Sequence, residues 1–166
     1  MDNFTVTERP DIGIATIMAR KNVTLGSIGS ALGIFPPAGP TRRSHDGTAL
    51  LGTGPGAWLA LREQPETHWA SKLATTLADL ASVSDQSGGY SVLRITGHQA
   101  RHIMQRGAFI DLHPDVFKAG DVATTVISHV GVTLWQLDDA PTFEVATFRS
   151  YAFSFKRWLT AAAAAL

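Results

Sequence analysis

The chain has 166 residues, 45% of them apolar, with 14 cationic and 14 anionic side chains and a formal net charge of zero. That length suits one domain with a sizeable core, and the balanced charge gives no basic excess for nucleic acid or an anionic membrane. There is no cysteine, which excludes disulfides, thiolate nucleophiles and cysteine-ligated zinc or iron–sulfur centres.

Residues 1–10, MDNFTVTERP, lack the basic start and apolar core of a signal peptide and read as a loose arm. No apolar run reaches the ~18–20 residues of a membrane span, so a cytoplasmic protein is expected. Ile12 to Ala19 reads as a strand, with Ile12, Ile14, Thr16 and Met18 on one side and the smaller residues and Ile17 on the other. Thr24 is placed to cap a helix over Leu25 to Leu32, and Gly33 to end it. Residues 35–47, FPPAGPTRRSHDG, form a Pro/Gly-rich loop too polar for the core. Leu50 to Gly54 is a short strand, and Pro55 is preset for a brief helical turn before apolar Trp58 to Leu61. Thr67 begins a helix to about Ala81, with Trp69, Leu73, Leu77 and Leu80 at helical spacing.

Ser82 to Leu112 organises the remainder. Ser82 to Asp85 is a short strand, Gln86 to Gly89 a turn, and Tyr90 to Thr96 a mostly buried strand. Thr96-x-x-Gln99 has the form of a capping box for a helix whose apolar stripe is Ala100, Ile103 and Met104 and which Gly107 ends. Asp111 to Pro114 opens a turn, and Phe117 points inward. Asp121 to Ser128 and Gly131 to Leu137 read as a hairpin, and Thr142 to Phe148 as a further strand. Ser150 is placed to cap a C-terminal helix with Tyr151, Phe155, Trp158 and Leu159 on one stripe, and Ala161 to Ala165 as a tail that frays. Roughly six strands and four helices, with several strands consecutive, predict an α+β fold with a largely antiparallel sheet and packed helices.

Each constellation that could carry chemistry has a plainer reading. Gly52-Thr53-Gly54-Pro55-Gly56 resembles a phosphate loop, but Pro55 removes a backbone donor and no lysine follows, so it reads as a turn. His98 and His102 have the four-residue spacing of metal ligands on a helix, without an intervening glutamate and beside Arg101 and Arg106, and read as a solvated or interface face. His45, His68, His113 and His129 carry no spacing signal. Ser87, His113 and Asp111 could be drawn as a hydrolytic triad, but no nucleophile elbow is present. Asp85 and Asp111 read as caps of backbone N–H groups or partners of arginines. Trp58, Trp69, Trp135 and Trp158, with Phe117, Phe153 and Phe155, read mostly as core.

The ordered set Gly54-Pro55-x-x-Trp58-Leu59, Asp85-x-Ser87-Gly88, Gly97-x-x-Ala100-Arg101, Gly107, Asp111-Leu112-His113 and Arg149-Ser150-Tyr151-Ala152 resembles the gamma subunit of heterotetrameric sarcosine oxidases. It is more distantly similar to the folate-binding domain of aminomethyltransferases of the glycine cleavage system. The resemblance covers roughly residues 8 to 160. It implies a fold like part of that folate-binding domain. It also implies a non-catalytic subunit packed on alpha, beta and delta subunits of a complex that oxidatively demethylates sarcosine. FAD, FMN, NAD, tetrahydrofolate and zinc are expected in the other subunits, and no nucleic acid or membrane partner is expected. No catalytic, cofactor-binding or metal-ligating residue is assigned here. Aminomethyltransferase-like domains carry an acidic residue near the folate-lining strand, whereas Gly131 to Trp135 has no carboxylate, and Asp138 and Asp139 come later. Three alternatives remain: the gamma subunit of a related demethylating dehydrogenase for another N-methyl amino acid, a stand-alone folate-binding one-carbon transferase, and a monomeric scaffold without a redox partner.

Overall fold

The structure is a computed structural model that describes residues 4–166. Its described residues form ten strands and four helices in two compact units. One unit is Asp11–Gly88; the other joins the residues before Asp11 to Gly89–Leu166. A single unit over 1–166 is the expectation from length, but each unit here has its own five-stranded sheet and its own helices.

In Asp11–Gly88 the strands are β2 (Ile12–Ala19), β3 (Arg42–His45), β4 (Thr48–Gly54), β5 (Ala57–Glu63) and β6 (Ala81–Asp85), with helices α1 (Leu25–Leu32) and α2 (Trp69–Thr76). The sheet order is β3-β4-β5-β2-β6, and every pairing is antiparallel. Helix α1 begins and ends where expected. The Thr24 hydroxyl accepts from the Ser27 N–H at 3.1 Å, and Gly33 closes the helix at φ 70°, donating its N–H to the Gly29 carbonyl. Ala15, Ile17, Leu50, Trp58 and Ala60 cover one sheet face and pack with Ile28, Leu73 and Leu77. The helix-facing side of β2 is therefore the Ala15–Ile17 side, while Met18 is 61% exposed.

Three expectations fail in this unit. The 35–47 loop contains β3, because Asp46 and Gly47 (φ 46° and 72°) form a two-residue hairpin turn that returns the chain into β4. Pro55 opens no helical turn. Pro55 and Gly56 instead join β4 to β5, Gly52 pairing with Trp58 and Gly54 with Ala57. Helix α2 stops at Thr76, capped by Leu77, because Ala81 to Asp85 is drawn into pairing with β2.

The second unit holds β1 (Thr5–Glu8), β7 (Tyr90–Thr96), β8 (Val122–Ile127), β9 (Val130–Asp138) and β10 (Thr142–Phe148), with helices α3 (Ala100–Gln105) and α4 (Arg149–Ala164). Its order is β1-β7-β10-β9-β8, also antiparallel throughout. The expected loose arm is thus in part an edge strand: Thr5 to Glu8 pairs with Leu93 to Thr96, and residues 1–3 lie outside the described residues. One sheet face, with Leu93, Ile95, Val132, Leu134, Phe143 and Val145, packs against Ile103 and Met104 of α3 and Phe155, Leu159 and Ala162 of α4. Fully burying such side chains contributes about 1.5–3 kcal/mol each.

The expected capping box does not form. Thr96 stays in β7 opposite Thr5, Gly97 turns the chain at φ 109°, and α3 starts at Ala100 with no side-chain cap. Nor does Ser150 cap α4, whose N-cap is Phe148. Ser150 lies within the first turn, and Tyr151 is 51% exposed rather than on the buried stripe. The alanine tail is held as helix to Ala164: Ala162 is buried, and Arg106 Nη1 donates to its carbonyl at 3.2 Å. The turn Gln86 to Gly89 is not a hairpin, since β6 and β7 belong to different sheets. The α+β expectation with antiparallel pairing holds, realised in two sheets.

Candidate functional site

The residues that carry the family pattern are engaged in holding the chain together. Asp85 Oδ1 accepts from the Ser87 N–H at 2.9 Å, and the Ser87 hydroxyl meets the Ile14 N–H at 3.0 Å and its carbonyl at 3.3 Å, tying the turn after β6 to β2. Arg101 Nη1 donates to the carbonyls of Leu112 and Phe117, Nη2 donates to Gln136 Oε1 at 2.9 Å, and the guanidinium lies 5.1 Å from the Phe143 ring centre. Partial burial lowers the pKa of Arg101 from its usual value, an effect opposed by the charge of Asp139. One side chain thus joins α3, the 112–117 segment and β9. Gly107 stands where an added Cβ would be 2.5 Å from the Trp158 ring. Asp111 Oδ1 accepts from the His113 N–H at 2.8 Å, forming the expected turn.

The catalytic constellations do not assemble from these parts. Ser87 is bonded to the β2 backbone, Asp111 to the His113 backbone, and His113 Nδ1 faces Asp115 Oδ2 at 3.5 Å. His98 precedes α3 and only His102 is on it, so the two do not share a helix face; both are exposed. His68 caps α2 in a left-handed conformation, His45 lies on β3 and His129 in the β8–β9 turn. Among the described residues no group of three His, Cys, Asp or Glu side chains comes together. Gly52 and Gly54 are strand residues, and the phosphate-loop pattern is a hairpin. Trp58 and Trp135 are buried, and Trp69 and Trp158 pack on the edges of the two cores.

Sequence reasoning missed a buried ionic row. Glu144 pairs across the sheet with Arg94 on β7 and Trp135 on β9, on the face opposite the helices. Glu144 is 4% exposed. Its Oε1 accepts from Arg9 Nη1 and from Arg94 Nε at 2.9 Å, and its Oε2 accepts from Trp135 Nε1 at 3.1 Å. With both oxygens engaged by two guanidiniums and an indole, this carboxylate is held in a fixed orientation. Asp138, at the end of β9, is likewise engaged, accepting from the N–H groups of Ala140 and Thr142.

Sequence reasoning also missed a groove of about 740 Å³ between α4 and the β1–β7 edge. Its floor includes Ser91 and Leu93, and its wall Phe153, Lys156, Arg157 and Ala161. Phe153 is 77% exposed. Lys156 Nζ bonds Glu8 Oε1 at 2.7 Å, and this hydrogen bond and charge pairing lower the Glu8 pKa from its usual value.

A family model described as sarcosine oxidase, gamma subunit family, matches residues 20–165. Two curated relatives, each named sarcosine oxidase subunit gamma, are similar to this chain. The one from Corynebacterium sp. strain P-1 is 31% identical over 105 residues, covering 63% of this chain and 51% of the relative. The one from Arthrobacter sp. is 28% identical over 112 residues, covering 66% and 55%. The chain thus spans about half the length of the curated relatives it matches. In three dimensions it is similar to a chain of the heterotetrameric sarcosine oxidase from Corynebacterium sp. U-96 in complex with pyrrole 2-carboxylate. The TM-score is 0.86 at 25% identity, over 96% of this chain and 83% of that one. The aminomethyltransferase T of the glycine cleavage system from Bartonella henselae shares the fold, with a TM-score of 0.72 at 10% identity over 95% of this chain and 45% of that one.

Proposed function

The chain belongs to the sarcosine oxidase gamma subunit family, and from that membership we propose that it is a non-catalytic structural subunit of a heterotetrameric oxidase that oxidatively demethylates sarcosine. Its partners are the alpha, beta and delta subunits. FAD, FMN, NAD, tetrahydrofolate and zinc belong to those subunits. The carrying observation is the likeness to a chain of a heterotetrameric sarcosine oxidase over 96% of this chain.

The chemistry of the residues supports the same division of labour. The donor set does not suit zinc, since the chain has no cysteine and the described residues bring no three ligands together. Its buried carboxylate, Glu144, is taken up by Arg9, Arg94 and Trp135 and offers no free acceptor to a pterin ring.

The test is spectroscopic. A tagged copy purified gently from its native host is expected to elute with flavin absorbance that sarcosine bleaches under anaerobic conditions. The chain expressed alone is expected to give no heat on titration with tetrahydrofolate. A colourless eluate whose protein binds tetrahydrofolate by itself would replace the subunit reading with a folate-binding transferase. Bleaching by another N-methyl amino acid and not by sarcosine would move the substrate to the related dehydrogenase.

A further inference from the structure

We propose that the groove beside α4 is the seat of an acidic, amphipathic segment contributed by a partner subunit. The proposal rests on the subunit reading and adds the face of this chain that meets the partner. The observation behind it is a second stripe on α4. Phe155, Leu159 and Ala162 face the core, whereas Arg149, Phe153, Arg157, Ala161 and Ala164, at steps of four, four, four and three, are exposed. These residues share one side of a helix and border the same groove.

The composition of the stripe specifies its occupant. Phe153 is the most exposed of the large apolar side chains among the described residues, at 77%, and an aromatic of that kind anchors an interface by entering an apolar pocket. Ala161 and Ala164 leave room for another backbone to approach. Arg149, Lys156 and Arg157 bring three cations to the groove, against the single carboxylate of Glu8, on a chain whose total charge is zero. Lys156 is paired with Glu8, but Arg157 makes no hydrogen bond or ion pair among the described residues. A complementary segment presents an apolar side chain to Phe153 and carboxylates to Arg157 and its neighbours, as an amphipathic helix laid in a groove does.

The test uses the complex from the native host, with a tag on this chain, wild type or carrying Phe153→Ser together with Arg157→Glu. Both positions are solvent-exposed, so the chain is expected to keep its melting behaviour while retention of the other subunits falls about tenfold or more. A photo-reactive amino acid at position 153 gives an independent readout that does not depend on the double variant folding. It is expected to cross-link to a partner-subunit peptide rich in Asp and Glu. If the wild type retains its partners and the double variant retains them equally, the docking surface is overturned and the subunit reading survives. If the wild type elutes alone, both are overturned. A cross-link to a second copy of this chain, to a peptide without carboxylates or to nothing overturns the assignment of the occupant.

Discussion

The carboxylate of Glu144 meets two guanidiniums and an indole nitrogen on a sheet face where water has little access. Glu144→Ala leaves the Trp135 N–H without its acceptor and removes the counter-charge of Arg9 and Arg94. Breaking a buried ion pair from one side costs about 3–5 kcal/mol, and because the Arg94 side chain is 35% exposed the low end, about 3 kcal/mol, is expected in urea unfolding. Glu8→Ala, which removes an exposed ion pair with Lys156, is the control and should leave the midpoint near wild type. Equal midpoints for the two variants would show that the ionic row contributes nothing. The row left a trace in the sequence. Glu144 sits inside TFEVATF and Arg94 inside YSVLRIT, each a charge in an apolar strand, and a buried charge needs a partner. Which strand supplied that partner depended on sheet order, which alternation does not encode.

At the scale of elements, what local pattern could report was readable. The bounds of β2, β7, β10 and α1 coincide with the alternation and helical spacing of their residues, and Thr24 and Gly33 mark α1 by side-chain and backbone chemistry. Of the four edge strands β6 and β8 were readable, but β1 and β3 were not, because they are short and polar and only their neighbours make them strands. Helix α2 was overextended because the segment after Leu77 is claimed by a sheet, and α3 begins at Ala100, later than a cap at Thr96 would place it. Gly107 follows the Arg106 cap of α3, where the helix was expected to stop, and the closeness of Trp158 on α4 is what requires glycine there. Gly107→Ala would press a methyl against the indole ring and the Ser128 amide. Such overpacking costs about 1–3 kcal/mol. Trp158→Phe in the same chain, by shrinking the ring, should recover part of that loss. An alanine variant as stable as wild type would show that the contact yields freely.

At the scale of the molecule, the ordered motifs span both units. Gly54-Pro55, Trp58, Asp85 and Ser87 belong to Asp11–Gly88, and Gly97, Arg101, Gly107 and Asp111 to the other. Of these residues Ser87 ties a turn to β2 and Arg101 ties α3 to β9, while Asp85 and Asp111 each close their own turn. The candidate site was legible in the turn-capping roles of Asp85 and Asp111, each of which accepts from the backbone N–H two residues on. The groove on α4 was hidden because exposure of Phe153 follows from which helix face the core takes. Among the described residues no helix is long and apolar enough to cross a membrane. The most direct test of the subunit reading is native mass spectrometry of the gently purified, tagged chain. We expect one copy of this 17.7 kDa chain in an assembly with three other polypeptides, two of them larger and one small and cysteine-containing. The chain at its own mass alone, or as a homo-oligomer without other polypeptides, would contradict it.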